Sequence, residues 1–108
     1  MSREKIVEES FGPEDKIQKS YEGKLDGDYG ILSMSKRKLI FVTEKGRGQK
    51  SYNLVLDLPY EKIKSIRTES YYTLILEDVV GLKHSFKSVM LVQIVEEALK
   101  EIMGQEPS

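Results

Sequence analysis

The feature that most constrains this chain is a change of hydrophobic period at Ser88. From Lys16 onward, short apolar runs are broken by turn signals roughly every eight to twelve residues, the pattern of antiparallel strands closing a sandwich or barrel. Beyond Ser88 the apolar positions recur at helical spacing, so a β-rich unit is followed by one helix. The runs are Ile17–Leu25, Tyr29–Ser35, Lys38–Thr43, Tyr52–Leu58, Ser65–Glu69, Tyr72–Glu77 and Leu82–Phe86.

Their punctuation and alternation set local expectations. Asp26-Gly27 supplies the positive φ angles of a tight hairpin. In the second run Leu32 and Met34 face one way, toward a core, and Ser33 and Ser35 face water. Lys38-Leu39-Ile40-Phe41-Val42-Thr43 is apolar at successive positions, which predicts a strand covered on both faces. Leu54, Leu56 and Leu58 fall on one face, against Asn53 and Asp57 on the other, until Pro59 stops the run. Ser88 reads as an N-cap and Gly104 as the residue just past the helix end. Between them Leu91, Val95, Ala98, Leu99 and Ile102 form one apolar face, flanked by Val92 and Ile94.

The predicted architecture is mainly β with one α-helix: a partly open, seven-stranded antiparallel barrel capped by a C-terminal amphipathic helix. Residues 16–103 form that domain. Residues 1–15 read as a loosely ordered, partly helical lead-in, in which Pro13-Glu14-Asp15 opens a helical turn, and 104–108 as a tail.

Composition removes most chemistries. The 108 residues include no cysteine, which excludes disulfides, thiolate metal sites and cysteine nucleophiles, and His84 is the only histidine, so no His pair can hold zinc. No uncharged run approaches the roughly 20 residues needed to cross a bilayer, and Ser2-Arg3-Glu4-Lys5 opens no apolar signal core, so the expected location is cytoplasmic. The net charge of −1 conceals a polarity: residues 33–50 hold six basic side chains against one acidic, between flanks at −3 each.

The segment Gly30-Ile31-Leu32-Ser33-Met34-Ser35-Lys36-Arg37-Lys38-Leu39-Ile40-Phe41 resembles the hairpin of GRAM-type and bacterial pleckstrin-homology-like domains, where an apolar-x-apolar-Ser/Thr strand precedes a basic turn and a Leu-Ile-Phe strand. Leu58-Pro59-Tyr60-Glu61-Lys62-Ile63-Lys64-Ser65-Ile66 is similar to the apolar-Pro-x-x-x-Ile junction of the same family. The resemblance covers roughly residues 16–103. It implies a pleckstrin-homology-like superfold used for phosphoinositide binding, peptide docking or self-assembly. In lipid-binding members the basic ligands cluster in the first hairpin loop, whereas here that loop is the acidic Asp26-Gly27-Asp28.

The candidate site residues are therefore Lys36, Arg37 and Lys38 with Lys45, Arg47 and Lys50, able to bind anionic lipid heads, at about 1 kcal/mol per basic residue, or to steer an acidic protein partner; a solvated hairpin turn explains the same residues. Nucleic acid fits poorly, for want of interleaved aromatics. Asp26-Gly27-Asp28 lacks the oxygen spacing of a calcium loop, and Gly46-Arg47-Gly48 lacks the Gly-Lys-Ser/Thr of a phosphate loop. His84 reads as structural or exposed, neither Glu96-Glu97 nor Glu77-Asp78 converges on a substrate, and Tyr71-Tyr72 with Tyr60 read first as strand tyrosines covering barrel edges, with an aromatic partner surface as the alternative. The expectation is a binding module with no catalysis, no cofactor and no small-molecule substrate. It works through a protein partner or its own copies. The alternative is a peripheral anchor on anionic membranes.

Overall fold

The computed structural model describes residues 2–104. Its elements, in chain order, are α1 (Arg3–Phe11), β1 (Lys19–Leu25), β2 (Asp28–Met34), β3 (Lys38–Lys45), β4 (Ser51–Pro59), a 3₁₀ turn at Tyr60–Lys62, β5 (Ile63–Thr68), β6 (Thr73–Asp78), β7 (Lys83–Ser88) and α2 (Val92–Met103). The seven strands form one antiparallel sheet in the order β4-β3-β2-β1-β7-β6-β5. The sheet does not close into a barrel: β4 and β5 are its edges. Asp26 and Gly27, with φ of 50° and 93°, make the β1–β2 turn that Asp-Gly chemistry requires.

β1 is the hinge of the sheet. It pairs with β2 along its whole length but meets β7 only at Gly23, Lys24 and Leu25. The two halves diverge from that short ladder, and α2 fills the space their inner faces enclose. Val92, Val95, Leu99 and Ile102 pack there with Leu32, Phe41, Leu74 and Phe86. Each such side chain removed from water contributes roughly 1.5–3 kcal/mol. The Phe41 and Phe86 rings meet edge to face, with centroids 6.1 Å apart.

The structure departs from the sequence-based expectations at four points, each with a physical cause. The lead-in is a second helix: α1 is capped by Ser2, whose Oγ accepts from the Lys5 amide at 3.3 Å, and ends at Gly12, whose φ of 80° stops it. Pro13 opens no helix and lies in a turn. Second, Ser33 and Ser35 are buried, because α1 and the segment after it cover the outer face of β2 and β3. Ile6 and Phe11 pack on Ile40 and Val42, supplying the cover that the doubly apolar third strand demands. Third, Ser88 ends β7, and its hydroxyl accepts from the Met90 amide inside a turn; the residue capping α2 is Leu91. Fourth, Leu91 and Ile94 lie outside the buried stripe, since a helix starting at Val92 directs 92, 95, 98, 99 and 102 inward. Of the predicted tail, 105–108 lie outside the described residues.

Candidate functional site

The structure divides the six basic candidates between the two ends of β3. Lys36 and Arg37 form the β2–β3 turn and Lys38 begins β3, whereas Lys45 ends it and Arg47 and Lys50 follow in the next loop. Seven strand steps carry the chain from Lys38 to Lys45, about 24 Å at the usual rise. Several are also neutralised. Lys38 reaches Asp57 at 3.0 Å and stands 5.9 Å from the centre of the Phe11 ring; Lys45 lies 3.6 Å from Asp28, and Lys50 lies 3.2 Å from Glu44. Lys36 and Arg37 are exposed and outside any ion pair among the described residues.

A buried polar knot fixes the Lys36–Arg37 turn. The Ser35 hydroxyl donates to Asp15 at 2.6 Å and accepts from the Arg37 and Lys38 amides at 3.2 Å. The Tyr60 hydroxyl donates to the Ser35 carbonyl at 2.6 Å. Burial, and then the nearby Asp15 charge, pushes the Tyr60 phenol far above its ordinary range, so it remains a donor. Beside this knot, Lys36, Arg37, Phe11, Tyr60 and Met103 border an open groove of ≈ 700 Å³.

The other sequence candidates resolve into structural roles. His84 stands between two carboxylates, with Nδ1 3.7 Å from Asp26 and Nε2 3.5 Å from Asp78. The two acids face opposite ring nitrogens, so the three groups share no point at which an ion could sit. Asp78 also accepts from the Val80 and Leu82 amides, both at 3.0 Å. Burial works against its ionisation, yet these amides and His84 hold its carboxyl below the usual range. Glu96 accepts from Thr68 and Lys100, while Glu97 accepts from Gln93, so the two glutamates have separate partners. Tyr60 belongs to the Ser35 knot, away from Tyr71 and Tyr72.

A different surface gathers the exposed apolar side chains. The β5–β6 loop is tied to the segment entering α2 by Ser88 N–H donating to the Tyr72 carbonyl at 2.7 Å and Val92 N–H donating to the Tyr71 carbonyl at 2.8 Å. These bonds set Tyr71 and Tyr72 against residues 88–92; Tyr71, Tyr72, Val89, Met90, Leu91 and Ile94 on the two tied segments are all exposed, with Tyr71 at 80% and Val89 at 68%. Tyr71, Leu91 and Gln93 border a groove of ≈ 640 Å³ whose acidic rim is Glu69 and Glu96. The Thr68 hydroxyl, and then Lys100, keep the Glu96 carboxyl low against the effect of burial. Sequence reading offers such a surface for Tyr71 and Tyr72 only as the alternative to covering strand edges, and it assigns Leu91 to the apolar helix face with Ile94 flanking it. The available signal was the unbroken run Val89-Met90-Leu91-Val92, too long for one helical stripe to bury.

No family model matches the chain, and no curated protein matches it. Among solved structures, the C-terminal domain of an unknown protein from Leishmania infantum is similar in fold, with a TM-score of 0.64 over 94% of this chain and 99% of that one. At 12% identity the likeness concerns the backbone arrangement alone.

Proposed function

We propose that this chain is a non-catalytic interaction module of pleckstrin-homology-like architecture, GRAM-type in its hairpin motifs, that binds protein through the surface around Tyr71 and Leu91. The observation that carries the reading is the gathering of six large apolar side chains, exposed together, where a lone domain gains nothing by leaving them in water. Tyr and Met are enriched at such interfaces. The open strand order supports the same reading, since the unpaired edge of β5, which runs into the Tyr71 loop, offers a partner main-chain hydrogen bonds next to this surface. The module needs no cofactor, and a cytoplasmic location goes with this role.

Capture of partners from the native cell extract tests it. Wild-type protein and a Lys36→Glu/Arg37→Glu variant should retain the same proteins, while Leu91→Glu/Ile94→Glu should lose them with its fold intact. Equal retention by the Leu91→Glu/Ile94→Glu variant would overturn the assignment.

One observation favours a second reading, a peripheral contact with anionic lipid. Lys36 and Arg37 are exposed, outside any ion pair among the described residues, and border a groove that Phe11, Tyr60 and Met103 line together with the acidic Asp15 and Glu61. Two unpaired basic residues near a bilayer contribute only about 2 kcal/mol. The separation of Arg47 and Lys50 to the far end of β3 leaves that contact weak. Co-sedimentation with anionic vesicles at low salt, lost in Lys36→Glu/Arg37→Glu, would favour it.

A further inference from the structure

We infer that the β6–β7 turn, Val79-Val80-Gly81-Leu82, is a membrane contact whose aliphatic side chains enter the headgroup boundary of a neutral bilayer. This goes beyond the protein-binding reading and does not rest on it. Five strand steps of β6, about 17 Å at the usual rise, separate the turn from the Tyr71–Leu91 surface. Three features of the turn single out a lipid surface over a protein.

The first is its apolar tip. Val79, Val80 and Leu82 are 54%, 77% and 60% exposed, at the turn that ends the β6–β7 hairpin. They border neither groove described above. A cap of aliphatic side chains on a hairpin tip needs a shaped hollow in a protein partner, whereas acyl chains close around it without one.

The second is the hydrogen bonding of its main chain. Asp78 N–H donates to the Leu82 carbonyl at 2.9 Å, and Gly81 N–H to the Asp78 carbonyl at 3.0 Å. Val79 N–H reaches across to the Lys62 carbonyl at 2.9 Å. The amides of Val80 and Leu82 both donate to Asp78 Oδ1 at 3.0 Å. All five amides from 78 to 82 are thus satisfied within the protein, two of them by a buried carboxylate. The acyl region supplies no acceptor, so a segment leaves water at low cost only when its donors are already paired. A loop built to dock on another protein's main chain would keep donors free. The carbonyls of Val79, Val80 and Gly81 keep water at the depth of the headgroups.

The third is the charge at its base. Lys83 follows the turn, Lys62 is tied to it through its carbonyl, and both lie outside any ion pair among the described residues. Their stems can lie along the apolar surface while the ammonium groups reach lipid phosphates. The neighbouring β1–β2 turn, joined through His84, brings the half-exposed Asp26 to the same end and offsets that charge. The aliphatic side chains therefore carry the contact, so zwitterionic lipid suffices and salt has little effect. This separates it from the Lys36–Arg37 reading, which needs anionic lipid.

Flotation of the full chain with phosphatidylcholine vesicles tests the inference. The wild type should float with them at low and high salt alike, and Lys36→Glu/Arg37→Glu should do the same. Val80→Asp/Leu82→Asp should partition about tenfold more weakly with an unchanged melting temperature, because both side chains are exposed and the main-chain bonds of the turn remain. The chain has no tryptophan, so Val80→Trp places a single indole at the tip. Its emission should move to shorter wavelength with these vesicles, whereas that of Tyr71→Trp should not. A wild type that stays behind, binding that appears only with anionic lipid and is lost in Lys36→Glu/Arg37→Glu, undiminished flotation of Val80→Asp/Leu82→Asp, or an indole response at position 71 and not at 80 would each overturn the membrane contact.

Discussion

Gly23 and Gly30 stand directly opposite each other across β1 and β2, and each lies under a phenylalanine ring, Gly23 beneath Phe86 and Gly30 beneath Phe41. A Cβ at Gly23 would come within 2.6 Å of the Phe86 ring, and one at Gly30 within 2.8 Å of the Phe41 ring. The bare strip of sheet lets the two rings settle edge to face at the bend where the halves of the sheet diverge. Gly23→Ala and Gly30→Ala should each destabilise the protein by about 3 kcal/mol through overpacking, read as a drop in the urea midpoint. Full stability in either variant would show that the rings do not hold the bend.

The plug formed by α2 is the next requirement. Val95 and Leu99 are completely buried in the core between the sheet halves. Val95→Asp or Leu99→Asp should cost about 3–5 kcal/mol, because the carboxylate would find no partner there. The exposed Glu97→Ala should stay within about 0.5 kcal/mol. Equal melting of Leu99→Asp and wild type would refute the docked helix.

The N-terminal helix is held by both apolar and polar contacts. Phe11→Ala should lose about 3 kcal/mol, as Ile40 and Val42 lose their cover. Tyr60→Phe should lose about 1–2 kcal/mol, as the Ser35 carbonyl loses its donor. If α1 merely brushed the sheet, amide exchange at Ile40 and Val42 would match that of the exposed strand edges in Phe11→Ala and wild type alike.

Acid should weaken the fold in a defined direction. Against the opposing effect of burial, amide bonds and His84 hold the Asp78 carboxyl low, and Thr68 and Lys100 do the same for Glu96. A carboxyl whose folded value lies below its unfolded value supplies stability that is complete above the unfolded value and lost as pH falls through the folded one. Urea midpoints should therefore stay level from about pH 7 to pH 5 and fall below about pH 4, where unfolded carboxylates take up protons. Asp78→Asn should make that acid limb shallower. A midpoint that rises on acidification would contradict the assignment.

The strand framework was legible because its signals are local. Asp26-Gly27 and Pro59 mark their turns by backbone chemistry, and Leu39 to Val42 announce cover on two faces. What covers the second face was not legible. α1 has few apolar residues, Ile6, Val7 and Phe11, among many charges, and its packing on Ile40 is a contact between distant parts of the chain. The basic residues cluster in sequence, yet an extended strand carries Lys38 away from Lys45 and dissolves the cluster in space. The apolar surface shows the converse: Tyr71 and Leu91 are twenty positions apart in sequence and meet only because the Val92 amide bonds to the Tyr71 carbonyl.

The central claim is that this domain works through the surface shared by the β5–β6 loop and the start of α2. Amide chemical shifts of the isotopically labelled protein, recorded alone and in unlabelled native cell extract, test it most directly. The account predicts shifts and broadening confined to residues near 69–73 and 89–97, with the Lys36–Arg37 turn and β4 unchanged. Changes centred on that turn or on β4, or none in the extract, would contradict it.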